Sequence, residues 1–168
     1  SFRQQIRFMA FPVPHEGTYE GTLIRSRGWN PLSLPTLDFA ISHFGRDGVV
    51  SPRNWYITTD QEQKKYIEIH YGERSVKATG LLGLSPQESQ VTGIDQTLEV
   101  GSFFDRTGED TCLLSDKMAE ALGIGPQDMG RAQVRVFGKY LVVRGIVNSK
   151  AFSQIRDLDN EPLTPADF

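Results

Sequence analysis

The apolar positions of the chain keep two rhythms, one of period two and one near the helical repeat. The opening segment Gln5-Ile6-Arg7-Phe8-Met9-Ala10-Phe11 alternates at first and then becomes mostly apolar. It predicts a strand ended by Pro12 and Pro14. Residues 15–33 are rich in glycine, proline and polar side chains, with Trp29 among them. They predict an irregular excursion with a short strand around Thr22 to Ser26. Leu34, Leu37, Ile41 and Phe44 then recur at helical spacing, which predicts a helix over about 34–45 with these four residues inward. Ser33 is placed to cap it, Pro35 sits in its first turn, and Gly45 or Gly48 can stop it. Val49 and Val50 lead into a strand before Pro52, and Trp55 to Thr58 predict another.

The strongest alternation follows. Ile67, Ile69 and Tyr71 share one face of a strand over Lys65 to Tyr71. Gly72-Glu73 is a turn, and Val76, Ala78, Leu82 and Leu84 share one face of a strand over Arg74 to Leu84. A Ser/Pro/Gln-rich segment reads as a loop before the strand residues Leu98-Glu99-Val100-Gly101. Cys112-Leu113-Leu114 reads as a short buried strand. Ser115 is an N-cap for a helix with Met118, Ala119 and Leu122 inward and Gly123 as its stop. Gln133 to Phe137 and Tyr140 to Val147 flank Gly138-Lys139, and a glycine in the first turn position predicts a type II′ hairpin. A closing amphipathic helix carries Ala151, Phe152, Ile155 and Leu158 inward. Antiparallel hairpins with a few short helices between them predict an α+β fold, in one domain or one domain of two lobes.

Composition narrows the function. The 168 residues are 38% hydrophobic and 23% charged, as in an ordinary globular chain. The net charge is −3, and the basic residues Arg25, Arg27, Lys64, Lys65, Arg131 and Arg135 are scattered. Nucleic-acid binding is disfavoured, since phosphate neutralisation calls for a clustered basic excess. The single cysteine, Cys112, excludes an intrachain disulfide. No apolar run approaches the roughly 20 residues of a spanning helix. The chain opens at Ser1 without a methionine and closes abruptly at Phe168, which reads as a piece excised from a longer protein.

Chemistry-bearing residues give little. His15, His43 and His70 fit no familiar ligand spacing, and one cysteine cannot complete a zinc site, so no metal site is expected. Ser115 beside Asp116 lacks the Gly-x-Ser-x-Gly elbow of a nucleophile. The acidic pairs Asp157/Asp159 and Glu109/Asp110 read as solvated charges rather than an acid–base couple. A phosphate-binding loop is lacking, so no nucleotide cofactor is expected. No catalytic residue is therefore assigned. Trp29, Trp55 and Tyr56 read as core before interface. Phe104 is expected inward, with Phe103 left open.

From about 63 to 150 the motifs fall in a recognisable order: Ala78 to Gly83, Gly101-Ser102-Phe103-Phe104, Cys112-Leu113-Leu114, Ser115 to Leu122, Gly130, and Val142-Val143-Arg144-Gly145-Ile146. This order resembles the periplasmic core domain of MacB-type ABC-transporter permeases, in the superfamily that includes FtsX and the lipoprotein-releasing permeases. The family often has Arg after the glycine of Gly-x-x-Phe, where this chain has Ser102. Residues 1–60 match poorly apart from a helix in the expected place and Val49-Val50-Ser51-Pro52, so they read as a specialised lobe.

The resemblance implies a domain, spanning 1–168, outside the cytoplasmic membrane between the first two transmembrane helices of a permease. It implies membrane spans close before Ser1 and after Phe168. The partners implied are a second permease copy, an ATP-binding subunit or domain across the membrane, and a periplasmic adaptor or lipoprotein. The domain itself would be no enzyme. It would relay ATP-driven motion in efflux or lipoprotein release. The competing reading is a freestanding hydrolase or ligand-binding domain with an unrecognised site.

Overall fold

The structure is a computed structural model that describes residues 3–12, 22–25, 34–57, 66–156, 160 and 162–163. The fold is α+β, with two sheets and short helices. In chain order the elements open with β1 (Arg3–Pro12), β2 (Thr22–Arg25), α1 (Leu34–Phe44) and β3 (Gly48–Ile57). Next come β4 (Ile67–Tyr71), β5 (Arg74–Ala78), β6 (Gly80–Leu84) and α2 (Glu88–Thr92). A 3-10 turn at Ile94–Thr97 leads to β7 (Leu98–Gly101), β8 (Thr111–Ser115) and α3 (Asp116–Leu122). The described elements close with β9 (Gln133–Val136), β10 (Lys139–Val147) and α4 (Ser149–Phe152).

One sheet has the order β2-β1-β3-β6, all antiparallel. The other runs β5-β4-β9-β10-β7, with β8 also paired to β10. Gly145 of β10 pairs with Gly101 of β7 and with Leu113 of β8, so β7 and β8 flank β10 on opposite edges. The β8–β10 pairing is parallel, the one departure from a sheet of hairpins among the described strands. The core lies on this sheet. Ile67 and Ile69, Val134 and Val136, and Val143 and Ile146 are buried with Ala119 and Leu122 of α3. Each larger side chain among them contributes about 1.5–3 kcal/mol relative to exposure.

Local chemistry explains most of the elements. Ser115 Oγ accepts the Met118 N–H at 3.2 Å, and Gly123 ends α3 in the left-handed region at φ 73°, as the cap residues predicted. The β4–β5 hairpin turns through Gly72-Glu73, with Tyr71 opposite Arg74. The β9–β10 hairpin differs from expectation. Its turn residues are Phe137 and Gly138, at φ 50° and 79°, and Val136 faces Lys139. Positive φ at both central positions defines type I′ rather than type II′.

Five further expectations are corrected. Val49-Val50 and Trp55 to Ile57 belong to one strand, β3, that runs through Pro52. Pairing with β6 begins only at Arg53, so at Pro52 the strand has one neighbour and one edge, where a sheet tolerates proline. The predicted strand over Arg74 to Leu84 is two strands in different sheets, because the chain crosses over at Thr79. Period-two patterning continues through the crossover, so pattern alone could not show it. The Ser/Pro/Gln-rich loop contains α2 and a 3-10 turn. Ser85-Pro86-Gln87-Glu88 matches a Ser-x-x-Glu helix-start pattern that the loop reading passed over, although α2 itself begins at Glu88 after Gln87 and the Ser85 hydroxyl is spent on Ser51 rather than on a cap.

In α1, the predicted inner residues Leu34, Ile41 and Phe44 are exposed and Ala40 is the buried one. A 3.6-residue apolar stripe states which face is apolar, not that something packs on it. The closing helix is a single turn, with Ala151 exposed and Phe152 and Ile155 half-buried. Ser33, Thr58, Lys65 and Leu158 lie outside the described residues. No helix among the described residues is long and apolar enough to cross a membrane.

Candidate functional site

Three polar clusters brace the points where elements join. The deepest joins β3, the residue that follows β6, and α2. Arg53 on β3 and Glu88 on α2 are both fully buried and form a two-pronged ion pair. Arg53 Nε donates to Glu88 Oε2 at 2.8 Å, and its Nη2 donates to Oε1 at 2.6 Å. Ser51 Oγ donates to Glu88 Oε2 at 2.7 Å and lies 2.9 Å from Ser85 Oγ. Thr92 Oγ1 donates to Glu88 Oε1 at 3.0 Å. Alternation along β3 puts Ser51, Arg53 and Trp55 on one face, and all three are buried. The carboxylate therefore meets three separate side-chain donors, the condition under which a buried charge is tolerated.

The second cluster sits on a bulge in β10. Register with β8 runs from Val143↔Cys112 to Gly145↔Leu113, leaving Arg144 as the extra residue. A bulge re-aims a side chain. Here the Arg144 guanidinium turns onto the loop after β7, reaching Asp105 at 2.6 Å and Glu109 at 3.2 Å, and Ser102 Oγ at 3.3 Å. The Arg144 hydrogen bond holds the Asp105 carboxyl below its ordinary range, and the same contact raises the guanidinium. The Arg144 carbonyl accepts the Ser102 N–H at 3.1 Å. Beneath it, Gly101 (φ 87°) lies opposite Gly145. A Cβ on Gly101 would stand 2.0 Å from the Arg144 carbonyl oxygen, and one on Gly145 would stand 2.9 Å from the Val100 oxygen. Only glycine permits this approach from both sides.

The third cluster ties α3 to α4. Asp116 accepts the Ser149 hydroxyl and backbone N–H and also the Lys117 N–H, and the Ser149 hydroxyl chiefly lowers its pKa. Asn148 caps α4 by accepting the Ala151 N–H at 2.8 Å.

The residues weighed from the sequence fall as follows. Ser115 spends its oxygen on the cap. The Cys112 thiol is pushed up to about 12 by burial, which keeps it protonated at neutral pH. Glu109 and Asp110 pair with Arg144 and Lys139 respectively. His43 stacks on Phe39 with ring centroids 3.8 Å apart, and His70 lies 3.4 Å from Glu68. Among the described residues no three His, Cys, Asp or Glu side chains are grouped to hold a metal ion. Arg131 and Arg135 are exposed on separate segments. Trp55 is core, and Tyr56 meets Phe137 edge-on at 5.1 Å. Phe103 and Phe104 are both half-buried and pack on each other at 4.9 Å. His15, Arg27, Trp29, Lys64, Asp157 and Asp159 lie outside the described residues.

Arg53, Glu88 and Arg144 were not singled out from the sequence. A charged residue beside glycine in the apolar run Val142 to Val147 is a bulge signature that could have flagged Arg144. Chemically, these clusters hold elements together, since each charged or hydroxyl group is engaged with a neighbour. No family model matches this chain, and no match was found among curated proteins or solved structures.

Proposed function

We propose that the chain is the extracytoplasmic domain of a MacB-type ABC-transporter permease and that it relays ATP-driven motion to a substrate or a partner protein. The observation that carries this reading is the meeting of two sequence motifs at one point. The glycine of Gly101-Ser102-Phe103-Phe104 pairs with the glycine of Val142-Val143-Arg144-Gly145-Ile146 at a mutual close approach. Motifs far apart in the chain that are required at one backbone junction form a single structural device. That favours the ordered resemblance over a chance sequence of common elements. The braced junctions support the mechanical part. A packed sheet locked by buried and bulge-borne ion pairs transmits displacement rather than absorbing it.

The domain then moves largely as a rigid body on its connections to the membrane, in a pair with a second permease copy. The parent reading frame should carry hydrophobic spans of about 20 residues close to both ends of the chain. A parent gene lacking such spans refutes the reading. In the full transporter, a disulfide staple between the two copies' domains should stop transport, and reduction should restore it. ATP binding should survive, because nucleotide is held elsewhere. Full transport by the verified cross-linked form would exclude domain separation as a required step.

A further inference from the structure

The segment that joins β7 to β8 carries an inference independent of the permease reading. β7 and β8 pair with opposite edges of β10, so the chain between them must cross β10 on one face. Residues 102–110 make that crossing, and all of 105–110 are exposed. Backbone bonds pin its two ends. The Ser102 N–H donates to the Arg144 carbonyl at 3.1 Å, and the Glu109 and Asp110 carbonyls accept the Thr111 and Val142 N–H groups, each at 2.9 Å.

Between those ends one side chain holds the crossing. Among the described residues, the side chains of 103–109 make their polar ties to the rest of the fold through the Arg144 guanidinium alone, at Asp105 and Glu109. Phe103 and Phe104 are half-buried and pack on each other, and neither is among the side chains packed on the core. The hold is also partly wet: the Asp105 side chain is 62% exposed and that of Arg144 22%. Ion pairs open to water are weak and are screened by salt. The sheet beneath is secured differently, by the ladders of β7 and β8 on β10 and by buried Val143 and Ile146. A segment with few ties opens locally while the fold it crosses stays closed.

We propose that residues 102–110 are a strap latched by Arg144, which opens as a unit while β7, β8 and β10 stay paired, and so bares the Phe103–Phe104 pair.

The test uses the 168-residue chain carrying Phe104→Cys, alkylated with iodoacetamide, a neutral reagent, and read peptide by peptide by mass spectrometry. Cys112 on β8 is the internal control, because its buried thiol reacts only if the sheet itself opens. Adding Arg144→Met should speed alkylation of the introduced thiol about threefold or more, the population shift expected for losing two partly exposed ion pairs. Asp105→Asn, placed on the exposed strap where it cannot disturb the core, should act in the same direction. Lys139→Met removes the Lys139–Asp110 pair at a pinned end and should leave the rate unchanged. Raising salt from about 0.01 M to about 1 M shortens the screening length from about 30 Å to about 3 Å, and should speed alkylation only while Arg144 is present. Cys112 should stay slow throughout. Rates unaltered by both Arg144→Met and Asp105→Asn overturn the proposal. So does an equal acceleration by Lys139→Met, or a Cys112 rate that rises in step, since the sheet and not the strap would then be opening.

Discussion

Removing Glu88 alone should be among the most damaging single changes in this chain. Glu88→Ala leaves the Arg53 guanidinium fully buried without the carboxylate that takes two of its N–H groups. Breaking a buried pair from one side costs about 3–5 kcal/mol. Ser51 still has Ser85 Oγ and Thr92 still has the Glu88 backbone carbonyl, so those hydroxyls add little to the loss. Native domains hold only about 5–15 kcal/mol in total, and for a chain of this length 1 kcal/mol corresponds to roughly 2–4 °C. The melting temperature should therefore fall by about 6–20 °C. The double variant Arg53→Met/Glu88→Leu removes both charges and fills their space with apolar volume. It should recover most of that loss, because desolvation of the pair offsets much of its attraction. Urea unfolding of both single variants and the double completes a mutant cycle. A Glu88→Ala cost below about 1 kcal/mol would refute the claim that this pair braces α2 against β3.

Further perturbations check the other junctions. Gly101→Ala adds a Cβ against the Arg144 carbonyl at positive φ and should cost at least about 1–3 kcal/mol by urea unfolding. Gly138→Val, at φ 79° with open space around it, should cost about 1 kcal/mol through backbone strain alone, and an unchanged melting temperature would count against the assigned turn. Ser115→Ala should cost about 1 kcal/mol, with Ser115→Asp retaining most of the wild-type stability. Asp116 is lowered chiefly by the Ser149 hydroxyl, so its folded pKa lies below its unfolded value. Its contribution is present above an unfolded pKa of about 3.9 and is lost as pH falls through the folded pKa. Ser149→Ala should therefore flatten the acid limb of stability against pH, and an unaltered limb would remove Asp116 from the account.

The sequence by itself determined what depends on near neighbours in the chain. Ser115, the apolar run to Leu122 and Gly123 define a helix wherever the segment lies, because cap, face and stop are all within reach of one another. The same holds for the turn of the β4–β5 hairpin, where alternation and Gly72-Glu73 set the pairing on both sides of it though not the end of β5. Tertiary structure decided the rest. Whether the apolar stripe of α1 faces a core depends on what the chain brings to it, and Leu34, Ile41 and Phe44 remain exposed. The step at Thr79 from one sheet to the other leaves no mark in period-two patterning. Arg53 and Glu88 look like surface charges in sequence, since an ion pair is a property of two positions and local chemistry constrains neither alone. The Gly101–Gly145 contact is of the same kind. Each glycine reads as a break in a strand until β10 lies beside β7, and then a side chain at Gly101 would meet the Arg144 carbonyl and one at Gly145 would meet Leu98 and the Val100 carbonyl.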